Sequence, residues 1–342
     1  MSNDNGGWTP GEPPKFPGED PKWQPAQAAA KPGIISLRPL SFGEILEGSF
    51  ALFRRHAGTV LGVAAALALF QAALTTALIL AASGSVRDAA EALQWQPPAD
   101  AQTPEELLNA FGDIQTVLAA VGIAALVSAA VSLIGTGLFT VITAEAVIGR
   151  AVTPKIAWNK MTSRLGSLVA TTLLAFVVFI AALALLIAVV AVAVTAGADG
   201  IAGFSAVFGF FFILWATFRF SLINTAVVLE RVSPVRAFKR SWILTKGAWW
   251  RTFGMVIVAS VAAAIVAGII SAPLVSLGTA SGVSSTGLTP GAVVSGNFLS
   301  SFVQGVISVP FVSAAISLLY VDLRMRKEGL AEKLLQASQE GK

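Results

Sequence analysis

Leu168-Val-Ala-Thr-Thr-Leu-Leu-Ala-Phe-Val-Val-Phe-Ile-Ala-Ala-Leu-Ala-Leu-Leu-Ile-Ala-Val-Val-Ala-Val-Ala-Val-Thr-Ala196 contains no Asp, Glu, Lys or Arg. Roughly 20 residues at 1.5 Å rise cross a hydrocarbon core of about 30 Å, so this stretch reads as a membrane-spanning helix. Runs of the same character lie on either side of it, at 57–82, 114–148, 204–229, 254–277 and 294–320. The chain therefore reads as all-α, a polytopic six-helix transmembrane bundle.

Composition points the same way. Of 342 residues, 55% are hydrophobic and 12% charged, against roughly a quarter charged in soluble domains. The net charge of +4 sits in short loops beside apolar runs, not on a folded basic face. The expected electrostatic partner is the anionic lipid headgroup, and nucleic acid is not expected. With no Cys and a single His, His56, the chain offers no thiolate and no His-rich metal site, and no cofactor is expected. The first 35 residues lack an apolar core and carry Asp4, Glu12, Glu19 and Asp20, unlike a secretion signal. The first span is expected to direct insertion.

Charge alternates from side to side. Segment 83–113 sets Arg87 against Asp88, Glu91, Asp100, Glu105, Glu106 and Asp113, and the turns 197–203 and 278–293 hold no Lys or Arg. On the other side, 149–167 carries Arg150, Lys155, Lys160 and Arg164 with no acid. Segment 230–253 carries Arg231, Arg236, Lys239, Arg240, Lys246 and Arg251 against Glu230 alone. The positive-inside rule places these two loops and both termini in the cytoplasm, with the plasma membrane as the expected location. Residues 1–39, with half of the 16 prolines, read as a disordered cytoplasmic tail; 40–320 form the membrane domain; 321–342 form a charged cytoplasmic end.

A short segment that starts like a helix precedes each pair of spans. These are Ser41 to Arg54, Thr153 to Lys160 and Ser233 to Lys246. The first and third align without gaps, Ser41 on Ser233, Ser49 on Ser241, Leu52 on Leu244. Ser41 with Glu44 makes a capping box, and Thr153-Pro154 and Ser233-Pro234 are N-cap and first-turn pairs. Apolar positions Ile45, Leu46, Phe50 and Phe53, and Val235, Phe238, Trp242 and Trp249, keep helical spacing with basic residues largely opposite, as on an interfacial helix. Three repeats, each an interfacial helix and a transmembrane hairpin, are the expected organisation; convergence of basic pre-span segments is the alternative.

Three passages carry a family resemblance. Leu37-Arg-Pro-Leu-Ser-Phe-Gly-Glu-Ile-Leu-Glu-Gly-Ser-Phe50, the stretch from Val228-Leu-Glu-Arg231 to Ser241-Trp-Ile-Leu-Thr-Lys-Gly-Ala-Trp-Trp-Arg251, and Leu319-Tyr-Val-Asp-Leu-Arg-Met-Arg-Lys-Glu-Gly329 resemble the membrane domain of glycerophosphoryl diester phosphodiesterases, as found in actinobacterial proteins. The resemblance covers roughly 35–330. It implies a six-span helical domain with an Arg in the fourth span, at Arg219. In some members a soluble catalytic barrel follows that domain; no counterpart to it is expected here, so the hydrolytic activity is not carried over.

Arg219 and Glu145 are the charges within apolar runs that most need an explanation, since an Arg near a span centre costs roughly 2.5–3.5 kcal/mol to insert. One reading pairs them in an intramembrane polar site with Asn224, Gln71 and Gln304. The other satisfies Arg219 inside the bundle and leaves Glu145 to interfacial water or Arg150. Arg236, Lys239, Arg240, Arg251, Trp249 and Trp250 are the candidate lipid-headgroup contacts. Pro273 and Pro310 are candidate kinks, and Gly254, Val258, Ala262, Ala263 and Gly268 a candidate packing face. There is no P-loop, His-Glu zinc helix or nucleophile elbow with a usable His, so an enzyme is not expected. The expected function is a scaffold or accessory factor in envelope or lipid homeostasis with a membrane or cytoplasmic protein partner; the alternative is a transporter or lipid-translocating protein centred on Arg219.

Overall fold

The computed structural model describes residues 33–83, 115–150, 152–280, 283–284, 287–288 and 290–330. In chain order these form α1 (Phe42–Arg55), α2 (Ala57–Ser83), α3 (Gln115–Val147), α4 (Pro154–Thr162), α5 (Leu165–Thr195), α6 (Asp199–Arg219), α7 (Ile223–Glu230), α8 (Pro234–Thr245), α9 (Trp249–Ala280) and α10 (Pro290–Glu328). A two-residue antiparallel ladder, Val283–Ser284 with Gly287–Leu288, lies between α9 and α10. Six helical segments are long and apolar enough to cross a membrane, the fourth running from Gly200 to Glu230 through α6 and α7. The acidic segment expected at 83–113 lies almost wholly outside the described residues.

Local chemistry accounts for the element starts and stops. The Ser41–Glu44 capping box forms in both directions, Glu44 N donating to Ser41 Oγ at 3.2 Å and Ser41 N to Glu44 Oε2 at 2.7 Å. Thr153 caps α4 by accepting from Ile156 N at 3.4 Å, whereas Ser233 begins α8 in an extended conformation with no side-chain cap bond. The α5–α6 turn closes on Gly197, whose φ of 68° suits a residue without Cβ. Pro273 and Pro310 both lie within continuous helices. The break in the bundle falls elsewhere: α6 stops at Arg219 and α7 starts at Ile223, inside the run expected to be one helix over 204–229. The Arg219 carbonyl at that break accepts from Ser241 Oγ at 2.9 Å and Thr245 Oγ1 at 3.3 Å, so α8 side chains replace the lost helical bonding.

The central bundle is α2, α3, α9 and α10, with α10 in contact with each of the other three. Residues four apart provide the close contacts: Val60, Ala64, Ala68 and Ala72 on α2, and Met255, Ala259, Ala263 and Ala267 on α9, are all buried. The α9 face is thus displaced from the expected one; Val258 and Gly268 face outward and only Ala263 is common to both. Gly305 lets α10 approach α2 so closely that an added Cβ would sit 2.8 Å from the Ala68 Cβ. The α5–α6 hairpin stands to one side, with the buried residues of α5 near its two ends at Leu168, Thr171 and Ala193.

α1, α4 and α8 gather at one end of the bundle, the basic end, and each buries the same two positions counted from its N-cap: Ile45 and Ser49, Ala157 and Met161, Ala237 and Ser241. The face turned to the bundle is therefore narrow; Trp158 is exposed, and Phe50 and Trp242 are part-exposed at its margin, Phe50 meeting Phe311 edge to face at 4.9 Å. Of the tail expected over 1–39, residues 1–32 lie outside the described residues, and residues 33–39 are not a tail but part of the fold. Residues 33–40 strap across the basic end with Ile34, Ile35, Leu37 and Leu40 buried, Ile34 N donating to Ala146 O at 3.1 Å. Apolar Ile34-Ile35 followed by Leu37 and Leu40 gives this strap a face to bury, which the Pro-rich residues before it lack.

Candidate functional site

Arg219 is 6% exposed. Its guanidinium lies 4.1 Å from the Trp242 ring centroid and 5.8 Å from that of Trp215, and the two rings meet edge to face at 5.8 Å. A desolvated cation over an indole gains about 2 kcal/mol, a large part of what inserting the charge costs. Its Nε is buried without a hydrogen-bond partner. Helix α6 supplies Trp215 one turn before Arg219, and the α8 anchored at the Arg219 carbonyl supplies Trp242, so the break and the aromatic clasp are one construction.

Glu145 is not the partner of Arg219. It sits in the last turn of α3 and pairs with Lys160 of α4 at 2.6 Å. A carboxylate at the negative end of a helix is unfavourable, and the neighbouring ammonium offsets it. The other expected members of a polar site have separate surroundings. Gln71 borders a void of about 10 Å³ beside Gly135 and Gly305, no larger than one water requires. Gln304 is exposed on α10, its Oε1 accepting from Ser308 Oγ at 2.8 Å, and Asn224 is half-buried on α7.

The dense polar chemistry is at the basic end, in two ionic clasps. The Asp322 side chain is wholly buried; its carboxylate accepts from Leu40 N at 2.7 Å, Arg251 Nε at 3.0 Å and Arg326 Nε at 3.0 Å. Arg251 and Arg326 each also donate through Nη2 to the Leu40 carbonyl at 2.6 Å. One carboxylate thereby joins the 33–40 strap, the start of α9 and the end of α10. In the second clasp Glu230 accepts from Arg240 Nε at 2.6 Å and Nη2 at 2.7 Å, and from the hydroxyl of Tyr320. Glu328 accepts from Arg240 Nη2 at 2.6 Å and Arg324 Nε at 2.9 Å. The hydrogen bond to Glu230, then the one to Glu328, hold the Arg240 guanidinium even further above its already high range. Lys327 Nζ donates to the carbonyls of Ile243 and Lys246, closing the C-terminal end of α8.

No protein-family model, no curated protein and no solved structure matches this chain. The geometry alone sorts the expected headgroup contacts. Arg240 and Arg251 are committed to carboxylates, whereas Arg236 and Lys239 are exposed on α8. Trp250 is 77% exposed, and Trp249 is half-buried with its Nε1 donating to Trp215 O at 3.3 Å. Reasoning from the sequence missed Asp322, Glu230 and Tyr320 as a group. The available signals were an acid just past the end of an apolar run, a lone acid in a basic loop, and the chain's single Tyr beside them.

Proposed function

We propose that this integral membrane protein is a non-enzymatic scaffold or accessory factor in envelope or lipid homeostasis. It presents a rigid platform at the cytoplasmic face of the plasma membrane, with both termini on that side. The observation that carries this reading is the position of α8. Glu230, Glu328 and the Arg219 carbonyl hold one side of it through Arg240, Ser241 and Thr245, while Val235, Arg236, Lys239 and Ile243 face outward. A clamped helix with a mixed basic and apolar outer surface suits anionic headgroups and a docked membrane or cytoplasmic protein. Charge asymmetry between loops supports the orientation. The shared buried positions of α1, α4 and α8 support an organisation in three repeats. The resemblance to the phosphodiesterase membrane domain fits this reading, because the three passages that carry it supply Leu40, Glu230, Arg240, Arg251 and Asp322 to the clasps.

A lipid-translocating protein is the second reading. It is favoured by the unpartnered Nε of Arg219 at a broken span, and by an apolar groove of about 260 Å³ lined by Phe50, Phe53, Leu61, Val266, Ile270 and Phe311. Reconstitution of the purified protein into vesicles with fluorescent phospholipid, quenched from outside, separates the two. The scaffold reading expects the same bleached fraction with and without protein. Lipid flipping that needs the protein and disappears in Arg219→Gln would replace it with the translocation reading.

A further inference from the structure

The last turn of α3, α4, the start of α5 and the end of α7 enclose a cavity of about 210 Å³, below the roughly 300 Å³ at which pockets for drug-sized ligands begin. Its polar lining is Glu145, Lys160, Arg164 and Arg231. Glu145 and Lys160 neutralise each other at 2.6 Å, which leaves two guanidinium charges with no ion pair among the described residues. Nε of Arg164 is buried and has no hydrogen-bond partner, a desolvated donor lacking an acceptor. Ser167 Oγ donates to Val232 O at 3.2 Å, fixing the start of α5 beside the chain that carries Arg231.

The backbone at Arg231 is the second, independent observation. Five described residues have positive φ, all at helix C-terminal ends: Gly149, Gly197, Gly247, Gly329 and, at φ 56°, Arg231. Glycine takes this left-handed position without a Cβ penalty, and the chain uses it at the other four. At the fifth, the strain is kept together with a long cationic side chain at the mouth of a cavity that already holds Arg164.

We propose that this cavity binds a phosphate-type oxyanion, held between Arg164 and Arg231 with the Glu145–Lys160 pair as its wall. Planar guanidinium forks match phosphate oxygens two at a time, and a small, positively charged pocket suits such a group. The group is either the headgroup phosphate of an anionic lipid or free phosphate. The inference extends the platform reading by giving the basic end a specific bound group, and it can fail without touching the vesicle result above.

The test uses the full chain in nanodiscs of phosphatidylcholine with or without phosphatidylglycerol, and in detergent with inorganic phosphate. Lipid retention is read by native mass spectrometry and thermal stability by melting. A headgroup source predicts phosphatidylglycerol retained on the wild type and weakened roughly tenfold or more in Arg164→Gln and in Arg231→Gln, but not in Arg54→Gln on the exposed face of α1, away from the cavity. A soluble source predicts a saturable rise in melting temperature with phosphate, lost in the same two variants. Arg231→Gly guards against misfolding: relieved of strain, it melts no lower than wild type without anion, yet loses the anion response. An equal response in Arg54→Gln and the cavity variants, or no anion response in any protein, overturns the proposal.

Discussion

The α5–α6 hairpin and the α9–α10 pair are both out-and-back apolar helices, yet they relate oppositely to the rest of the protein. α5 has the highest mean hydropathy of the six spans, 3.3, and none of its most apolar window is buried; α10 is at 1.9, and 67% of its window is buried. In water the order would be reversed. In a bilayer, lipid tails satisfy Leu and Phe as well as protein does, so hydropathy measures contact with lipid and small or polar residues measure contact with other helices. α10 carries the buried Ser313, Ala314, Ala315, Ser317 and Asp322, and Ser317 Oγ lies 3.2 Å from Thr140 Oγ1 of α3. α5 offers Phe176, Phe179, Leu185 and Val192 outward instead.

The largest test of this contrast is Asp322→Ala. Removing the acid that holds Arg251, Arg326 and the Leu40 backbone leaves two partly buried guanidiniums and a backbone N–H without their acceptor, and should cost about 3–5 kcal/mol by thermal or denaturant unfolding in detergent. A loss under about 1 kcal/mol would mean the clasp is solvated and α10 is held by packing alone. Leu318→Ala, at a wholly buried α10 position, should cost about 2–5 kcal/mol. Next comes Gly305→Val, which forces side-chain atoms into Ala68 and should cost about 1–3 kcal/mol, read as a lower melting temperature. The smallest effect is expected at Leu185→Ala on α5, where 67% exposure leaves little packing to lose, within about 0.5 kcal/mol. If Leu185→Ala destabilised as much as Leu318→Ala, the hairpin would be covered by protein, and its apolar face would have to be reassigned from lipid to an interface.

Legibility in the sequence divides along the same line. The Ser41–Glu44 capping box, the Gly197 turn and the runs without charge were readable because each depends on residues close in the chain. The packing register of α9 was not: a helix apolar on every side has no amphipathic stripe, so Gly254, Val258 and Ala262 looked as suitable as Met255, Ala259 and Ala267. The strap was hidden because Ile34, Ile35, Leu37 and Leu40 adjoin a Pro-rich stretch whose composition dominates any window. At the candidate site, burial of Arg219 could be inferred from its depth in an apolar run. Its indole partners could not, because Trp242 approaches only once α8 folds back under the broken helix.

Length, charge alternation and apolar runs are local or additive quantities, and through the cost of desolvating charge and backbone they alone determine that this chain carries six stretches long and apolar enough to cross a membrane. Which helix packs on which, that Glu145 belongs to Lys160 and Arg219 to tryptophan, and that Leu40, Arg251, Asp322 and Arg326 meet at one point were decided only by the tertiary structure. Those choices rest on contacts between residues up to 286 apart, made by directional hydrogen bonds and close small-residue packing. In lipid these forces select one arrangement where hydrophobicity is indifferent among many.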